Sequence, residues 1–366
     1  MGKDIKRFDI RKGSFMELLV KEYRGTKDEP TATLDLSHFG HIAVACENGE
    51  ILWKAGDPAR ITFVRSAAKP IQALSVLKSG AADEYGITDE ELAVMCSSHR
   101  GEKCHVEAVL SVLKKAGLDE RHLQCGGDDG RFAGAGYFGC WFGEKDGALK
   151  TVLTHNCSGK HAGMLLTAKK SGNTLNDYYI KEHPIQREIV KTIAEVCDFP
   201  AGGIVTGTDG CGVPVHALPL YKFAQGYARM SNPVSLGRSY ESYAARIVSA
   251  MTKYPHMVGG HDKHSDFTTE LMQEFGDRLF CKFGANGFFA IGVKNKGIGI
   301  CLKMEDGFEK TIPVAVIETL RQVGELTSGD VKSAENLKSV KSCMEINDST
   351  GNTVGRRVAD FVLKSC

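Results

Sequence analysis

Two candidate β-hairpins, far apart along the chain, constrain the fold more than any other feature of the sequence. In the first, the apolar runs HIAVAC and EILW flank Asn48-Gly49, a dipeptide typical of two-residue hairpin turns. In the second, FFAIGV (288–293) and GIGICLKM (297–304) flank a turn at 294–296. Because two hairpins can join in one antiparallel sheet, we expect the N-terminal and C-terminal parts of the chain to share a sheet.

The sequence between the hairpins is mainly helical in pattern. A short strand is expected at 60–64, and Thr88 with Glu91 forms a capping box that predicts the start of a helix. Residues 125–143 are rich in glycine and aromatic residues and are predicted to form a long loop. Further helices are predicted at 66–77, 102–115, 185–196 and 312–323.

This order of elements indicates an α+β fold, in which an antiparallel sheet with flanking helices carries a mostly helical inserted subdomain. We expect one catalytic unit over residues 1–366. Its sheet part covers about 1–65 and 275–366, and its helical and loop part covers about 66–274.

Composition excludes several classes of function. Lys and Arg number 46 and Asp and Glu number 45, so a net charge of +1 gives no general attraction to nucleic acid or to anionic membranes. No apolar run approaches the roughly 18 residues of a membrane span. Twelve cysteines occur without a CxxC pair, and the polar N-terminus lacks the apolar core of a secretory signal. We therefore predict a cytoplasmic protein with reduced thiols.

Two segments suggest nucleophilic chemistry. Ser66 and Lys69 in RSAAKP lie three residues apart, and a helix would place them on one face, where the amine could activate the hydroxyl. Ser98 and His99 lie in CSSHRGE, between two predicted helices. Alternatives are a capping serine with a surface lysine for the first segment, and a simple helix–helix turn for the second. Lys282-Phe-Gly is similar to the Lys-Thr-Gly strand that penicillin-recognising enzymes place opposite SxxK.

Two further segments suggest a metal site. HNCSGKH (155–161) and DGCG (209–212) together offer two thiols and a carboxylate, which with one more ligand would suit tetrahedral zinc. The alternatives are two buried thiols beside an Asx turn, and catalytic Cys–His chemistry at Cys157.

Taken in order, RSAAKP, SSHRGE, HNCSGKH, TDGCG and KFGANG resemble the class 3, rhizobial-type L-asparaginases of the asparaginase II family. The resemblance extends from EYRG (22–25) and SHFGHIAV (37–44) to about residue 307. It implies a fold similar to that of serine β-lactamases, penicillin-binding proteins and glutaminases.

The resemblance also implies roles for individual residues. Ser66 and Lys69 match the family's nucleophile and base, and Ser98 and Lys282 match a second Ser–Lys tandem. A structural or substrate-orienting Zn²⁺ is implied, without an organic cofactor, and His155 or His161 could replace the lysine among its ligands. The matching ligand positions are Cys157, Lys160, Asp209 and Cys211.

The implied reaction is hydrolysis of L-asparagine to L-aspartate and ammonia by a homodimer. Arg65 and His99 are candidates for binding the substrate, and a surface salt bridge is the alternative role of Arg65. Arg100, Asn286 and the polar segment 259–272 depart from the family pattern, so the preferred amide stays open. The alternatives are a glutaminase or other small-amide hydrolase of the same fold, and a non-catalytic zinc-binding homologue.

Overall fold

The computed structural model of the chain describes residues 15–126 and 151–366. All but the first two residues of the predicted loop at 125–143 therefore lie outside the described residues. The described strands are, in chain order, β1 (Glu17–Arg24), β2 (Thr33–Cys46), β3 (Ile51–Ala55), β4 (Ile61–Phe63), β5 (Val205–Thr208), β6 (Pro214–Pro219), β7 (Leu279–Gly284), β8 (Phe288–Val293), β9 (Ile298–Met304), β10 (Glu345–Asn347), β11 (Thr353–Ala359) and β12 (Lys364–Ser365).

One large antiparallel sheet joins the two ends of the chain. Its strands follow the order β10-β11-β1-β2-β9-β8-β7, with β3 beside β2 and β12 beside β3. The long strand β2 is the link, because Gly40 to Cys46 pair with β9 while Thr33 to Gly40 pair with β1. The predicted union of the two hairpins in one antiparallel sheet is confirmed.

The large sheet is wider than the sequence patterns indicated. Strand β1 and the three C-terminal strands β10 to β12 were not predicted, and β2 begins seven residues before the predicted hairpin. The predicted helical part also contains two strands, because β5 and β6 pair with β4 in a separate small sheet of order β4-β6-β5. Strand β5 is short and partly exposed, and the partner of β6 on its other side, β4, lies about 150 residues earlier in the sequence.

The helices surround the sheets and supply most of the middle of the chain. The predicted capping box is confirmed, since the Thr88 side chain accepts from the Glu91 N–H and the Glu91 carboxylate accepts from the Thr88 N–H. The described helices are α1 (Lys69–Lys78), α2 (Ala81–Glu84), α3 (Asp89–Met95), α4 (Lys103–Lys115), α5 (Ser158–Lys170), α6 (Pro184–Val196), α7 (Leu220–Ser231), α8 (Glu241–Lys253), α9 (Pro255–Gly259), α10 (Phe267–Phe275), α11 (Ile312–Gln322), α12 (Ser328–Glu335) and α13 (Lys338–Met344).

Helix α7 packs directly on the large sheet and fixes the start of α1. A Cβ atom at Gly299 of β9 would lie only 1.9 Å from the backbone oxygen of Ala224, so this close approach requires glycine. The Tyr227 ring stacks on Phe280 of β7 with ring centroids 5.0 Å apart. Its hydroxyl donates to the Ala67 carbonyl at 2.7 Å, which ties the turn before α1 to the core.

None of the helices in residues 15–126 and 151–366 combines the length and the apolar character that crossing a membrane requires.

Candidate active site

Ser66 lies at a sharp turn between β4 and α1. The Val64 N–H donates to the His216 carbonyl of β6 at 3.1 Å, and the next residue, Arg65, has a left-handed backbone with φ 52°. This conformation is unfavourable for a side chain other than glycine, so the surrounding structure must hold it in place. A 3₁₀ helix at Arg65–Ala68 then leads into α1.

Ser66 and Ser98 line the same cavity, which has a volume of about 520 Å³. Volumes of this size are typical of small-molecule sites, which lie in a range of about 300–1,000 Å³. Charged and apolar side chains share the walls of the cavity. They include Arg100, Asp266, Phe267, Phe283, Glu309, Lys310, Ile312 and Pro313.

The amine of Lys69 is buried and directed toward the loop that follows α3. It donates to the Ser97 carbonyl at 2.5 Å, to Ser98 Oγ at 3.1 Å and to the Asn156 carbonyl at 3.3 Å. An ammonium group has three N–H donors, so these three acceptors satisfy it completely. The i, i+3 spacing suggested that this amine would meet Ser66, whereas the hydrogen bonds described here go to the second serine.

Lys282 reaches the same serine from strand β7. Its side chain has no solvent exposure, and its amine donates to the Phe283 carbonyl at 3.1 Å and lies 2.9 Å from Ser98 Oγ. Three separate parts of the chain therefore place two lysine amines around one hydroxyl. Neither lysine side chain lies on the surface, unlike the surface lysine of the alternative interpretation.

Burial and, to a smaller extent, the positive charge of Lys69 together lower the pKa of Lys282 to about 7. A large fraction of Lys282 is therefore neutral near pH 7. A neutral amine has a lone pair that can accept the proton of a hydroxyl group, and Ser98 lies within hydrogen-bond distance of that lone pair.

His99 is buried beside this cluster, with both ring nitrogens used within the protein. Nδ1 accepts the Gly101 N–H at 3.1 Å, so Nε2 carries the proton and donates to Ser158 Oγ at 2.8 Å. Ser158 in turn donates to the Leu153 carbonyl at 2.8 Å. Burial holds the pKa of His99 well below its usual value, so this ring is neutral. This geometry favours a supporting role for His99 over contact with a substrate.

The predicted metal ligands come together between α5 and the turn that joins β5 to β6. The Lys160 amine donates to Cys211 Sγ at 3.0 Å, and Cys211 Sγ lies 4.0 Å from Asp209 Oδ2. A hydrogen bond from the Cys211 thiol lowers the pKa of Cys157 well below its usual value, and Lys69 and Lys160 act in the same direction. Two sulfurs, a carboxylate and an amine form a donor set that suits Zn²⁺ chemically.

Both histidines that were considered as substitutes for Lys160 lie beside this cluster. A side-chain hydrogen bond from His155 helps to lower the pKa of Cys157, and the buried Nε2 of His161 has no hydrogen-bond partner among the described residues. His161 Nδ1 is hydrogen-bonded to the Tyr178 hydroxyl at 2.6 Å, and its ring is fully buried. His155 Nδ1 accepts the Cys157 N–H at 3.0 Å, which uses that nitrogen within the local turn.

A different group of side chains could also hold a metal ion. One ligand atom from each of Glu102, Cys104 and His105 lies within 4.8 Å of the other two. The predicted set of Cys157, Asp209 and Cys211 does not meet this distance criterion in the described part of the chain. The closeness of Glu102 and His105 is explained by the capping of helix α4. His105 accepts the Glu102 N–H through Nδ1 at 3.2 Å and bonds the His256 carbonyl through Nε2 at 3.0 Å, which leaves no lone pair for a metal.

Arg65 connects the thiol cluster to Ser66. Its guanidinium lies 3.0 Å from Asp209 Oδ1, and both side chains are largely buried. The two residues line a small cavity of about 50 Å³ together with Ser66, Cys157 and Cys211. The salt-bridge alternative for Arg65 thus has a defined partner, although the bridge is not on the surface.

The departures from the family pattern lie beside the large cavity. Arg100 lines it and contacts the Gly259 carbonyl at 3.3 Å and Asp266 Oδ2 at 3.4 Å. Asn286 has a left-handed backbone with φ 63°, and its N–H donates to Glu309 at 3.3 Å. Sequence reasoning did not single out Asp266 or Glu309, because nothing near either residue in the sequence distinguishes it from a surface acid.

Comparison with known proteins places this site in a family. The sequence model of the L-asparaginase II family matches residues 31–357, which is most of the chain. The chain belongs to the L-asparaginase II family. Membership supports an asparaginase-type amidohydrolase and is consistent with two serines and two buried amines at a cavity.

No curated protein matched the sequence. Among solved structures, a β-lactamase (Mb2281c) from Mycobacterium bovis is 15% identical, with 77% of this chain and 94% of that chain covered and a TM-score of 0.40. The structure of Mglu in its glutamate form is also 15% identical, with 77% and 60% covered and a TM-score of 0.34. Neither similarity is close enough to support a statement about substrate or mechanism.

Proposed function

We propose that this asparaginase-type amidohydrolase converts L-asparagine to L-aspartate and ammonia through an acyl-enzyme on a serine. The observation that carries the proposal is the arrangement of the Lys69 and Lys282 amines around Ser98, in a wall of the cavity that Ser66 also lines. A buried amine with a pKa of about 7 is a base that works near neutral pH.

In the proposed acylation step, Ser66 Oγ attacks the side-chain amide carbon. Its proton passes through the Ser98 hydroxyl to the Lys282 amine, and a tetrahedral intermediate forms. The N–H of Ser66, in the first turn of its helix, has no acceptor within that helix and can donate to the oxyanion. Ammonia then leaves with a proton returned from Lys282, and an ester of Ser66 remains.

In the proposed deacylation step, water attacks the ester carbon and gives its proton to the same base. The bond to Ser66 Oγ breaks as Lys282 returns this proton to it through Ser98, and L-aspartate leaves. Throughout, the charged amine of Lys69 holds Ser98 in place and favours the neutral form of Lys282. Lys69 is therefore proposed to position and tune the base.

Ammonia release from L-asparagine tests the reaction. We expect Ser66→Ala and Ser98→Ala to lose about 10³-fold or more in kcat while remaining folded, because residues that act as a unit are each essential. Ser349→Ala, on an exposed turn, is the matched control and should keep full activity. Folded protein without any ammonia release would instead support the non-catalytic homologue.

The identity of the nucleophile has a separate test. Rapid acid quenching followed by mass spectrometry should find the aspartyl adduct on the peptide that contains Ser66. An adduct on the peptide that contains Ser98 would give that serine the nucleophilic role, which its two lysine neighbours would also suit.

A substrate panel tests the preferred amide. Asparagine and glutamine differ by one methylene, which changes transition-state binding by about 1–3 kcal/mol in a simple pocket. A higher kcat/KM for glutamine or another small amide would change the substrate in this proposal without changing its chemistry.

We further propose that Cys157, Lys160, Asp209 and Cys211 hold one Zn²⁺ ion. Its chemistry would be structural, because four protein ligands leave no position for an activated water. The neighbouring cysteine sulfurs and the Asp209 carboxylate favour the charged form of Lys160 and raise its pKa despite burial, so zinc would have to displace a proton from this amine. Elemental analysis of the purified chain should find about one zinc per chain, and Cys157→Ser should lose it.

A metal-free chain with unchanged stability would contradict the zinc proposal and leave a thiolate–ammonium pair. The predicted homodimer and cytoplasmic location remain predictions, which sedimentation and cell fractionation would test.

A further inference from the structure

An amino-acid amide needs a cation for its α-carboxylate and an anion for its α-ammonium. Arg65 is poorly placed for the first role, because Asp209 lies 3.0 Å from its guanidinium and both face the small cavity beside the thiols. In the described part of the chain, the arginine that lines the 520 Å³ cavity with Ser66 and Ser98 is Arg100. The cavity itself therefore offers a different cation.

The Arg100 guanidinium is oriented by two neighbours at the wall of the cavity. Its contacts with the Gly259 carbonyl and with Asp266 are 3.3 and 3.4 Å, longer than the roughly 2.7–2.9 Å of a strong charge-assisted hydrogen bond. The other carboxylate oxygen of Asp266 accepts the Thr269 N–H at 3.0 Å and caps α10. Asp266 thus directs one oxygen to Arg100 and the other to the start of α10, which fixes the guanidinium at the cavity wall.

Glu309 supplies a negative charge in the same cavity. Its carboxylate accepts the Asn286 N–H at 3.3 Å. Because burial removes water from this group, its pKa is raised. Arg100 lines the same cavity as Glu309, and its positive charge lowers the pKa of this carboxyl. An ammonium group bound in the cavity would stabilise the ionised Glu309.

We propose that Arg100 binds the α-carboxylate of the substrate and that Glu309 binds its α-ammonium, so that these two residues determine specificity for a free α-amino acid amide. The inference rests on the proposed function. An α-amino acid head carries opposite charges on neighbouring atoms, and the cavity presents a matching cation and anion.

Substrates that lack one charge test each contact separately. β-Alaninamide is asparagine without the carboxylate, and succinamate is asparagine without the ammonium. In Arg100→Ser, kcat/KM should fall about 10- to 100-fold for asparagine and succinamate but little for β-alaninamide. In Glu309→Gln, it should fall similarly for asparagine and β-alaninamide but little for succinamate.

Lys310→Gln is the matched control, because it removes an exposed cation from the same cavity and should leave this pattern unchanged. A loss in Arg100→Ser that is equal for all three substrates would show a structural role and overturn the inference. The selective loss of carboxylate-bearing substrates in Lys310→Gln, but not in Arg100→Ser, would also overturn it.

Binding of L-aspartate, the expected product, separates this inference from the reaction. Calorimetry should show about 10-fold weaker binding to Arg100→Ser and to Glu309→Gln than to the parent chain. If the parent binds aspartate but hydrolyses no amide, the proposed function fails while the inference survives. Unchanged affinity in both variants would refute the inference whatever the activity.

Discussion

At the scale of single residues, the proposed chemistry depends on a lysine that is buried away from solvent. Lys282 is fully buried on β7, and the charge of Lys69 lies across the same serine. Both effects favour the neutral amine, which is the form that accepts a proton.

The pH dependence of kcat/KM should report this amine. Because Lys282 must be neutral, activity should fall as the pH drops below about 7 and reach a plateau above it. Lys69→Met removes the nearby positive charge, so the pKa of Lys282 rises and the acidic limb of the residual activity moves to higher pH. Lys253→Met removes an exposed charge and should not move the limb. If activity fell at the same pH in the parent chain, in Lys69→Met and in Lys253→Met, a group other than Lys282 would be titrating.

The same burial should cost stability. The pKa of Lys282 is lower in the folded state than in the unfolded chain, so as the pH falls from above 10 to 7 the unfolded chain gains a proton that the folded protein does not. The loss of stability that comes from burying this lysine is therefore complete below about pH 7.

Lys282→Met should abolish activity and raise the free energy of unfolding at pH 6 by about 0.5–2 kcal/mol, a common size for a stabilising substitution. The gain should shrink toward pH 10. Urea denaturation at both pH values measures it, and a variant that is less stable at pH 6 would show that the hydrogen bonds of Lys282 outweigh the burial of its charge.

At the scale of elements, the site depends on how closely α5 approaches α3. A Cβ atom at Gly159, in the first turn of α5, would lie 2.1 Å from the Val94 backbone oxygen of α3. Gly159→Ala should therefore cost about 1–3 kcal/mol of stability and shift Cys157 and Lys160, because backbone atoms cannot move aside cheaply. Gly202→Ala, which meets no atom within 4 Å, is the control and should change stability by no more than about 0.5 kcal/mol. Equal unfolding midpoints for the two variants would contradict this close packing.

Elements with local signals were predictable from sequence. The Thr88 capping box and the hairpin at Asn48-Gly49 depend on a few adjacent residues, and both form where predicted. The hairpin turn is longer than the two residues expected, because it runs over 47–49 and only Gly49 has a left-handed backbone, with φ 88°. Strand β1 was not predicted, because its Glu22 is polar in sequence but buried in the structure. Its partner Arg357 lies 335 residues away, so no local sequence pattern indicates this burial.

For the candidate site too, local motifs were readable from the sequence, whereas contacts between distant residues were not. The motifs identified the serines, lysines and cysteines, but only tertiary structure shows that Lys69 contacts Ser98 and that Arg65 pairs with Asp209. A left-handed arginine at φ 52° turns the chain just before Ser66, and sequence gives no reason to expect this conformation at an arginine.

At the scale of the whole molecule, a buried ion pair fastens β1 to β11. Arg357 Nε lies 2.5 Å from Glu22 Oε1, and neither side chain is more than 7% exposed. Arg357 also donates to the Cys343 carbonyl at 2.9 Å, and its guanidinium lies 5.3 Å from the centre of the Phe308 ring. Cys343 lines the large cavity, so the ion pair connects the sheet to the site.

Breaking one side of this pair should be costly. Glu22→Gln leaves a buried guanidinium without a counter-charge and should lose about 3–5 kcal/mol in urea denaturation. The double variant Glu22→Leu/Arg357→Met removes both charges and should recover much of that loss. A double variant as unstable as the single one would show that packing or the Cys343 contact matters more than the charge.

The position of Ser98 between two amines has a consequence for repeated turnover. In the proposed relay, this hydroxyl gives its proton to Lys282 while it receives one from Ser66, and Lys69 stays charged, so the reverse transfer restores the starting state. Each half-reaction then finishes in the arrangement from which the next one starts. In the proposed mechanism, successive catalytic cycles need no resetting movement, and a rigid site becomes an advantage for speed.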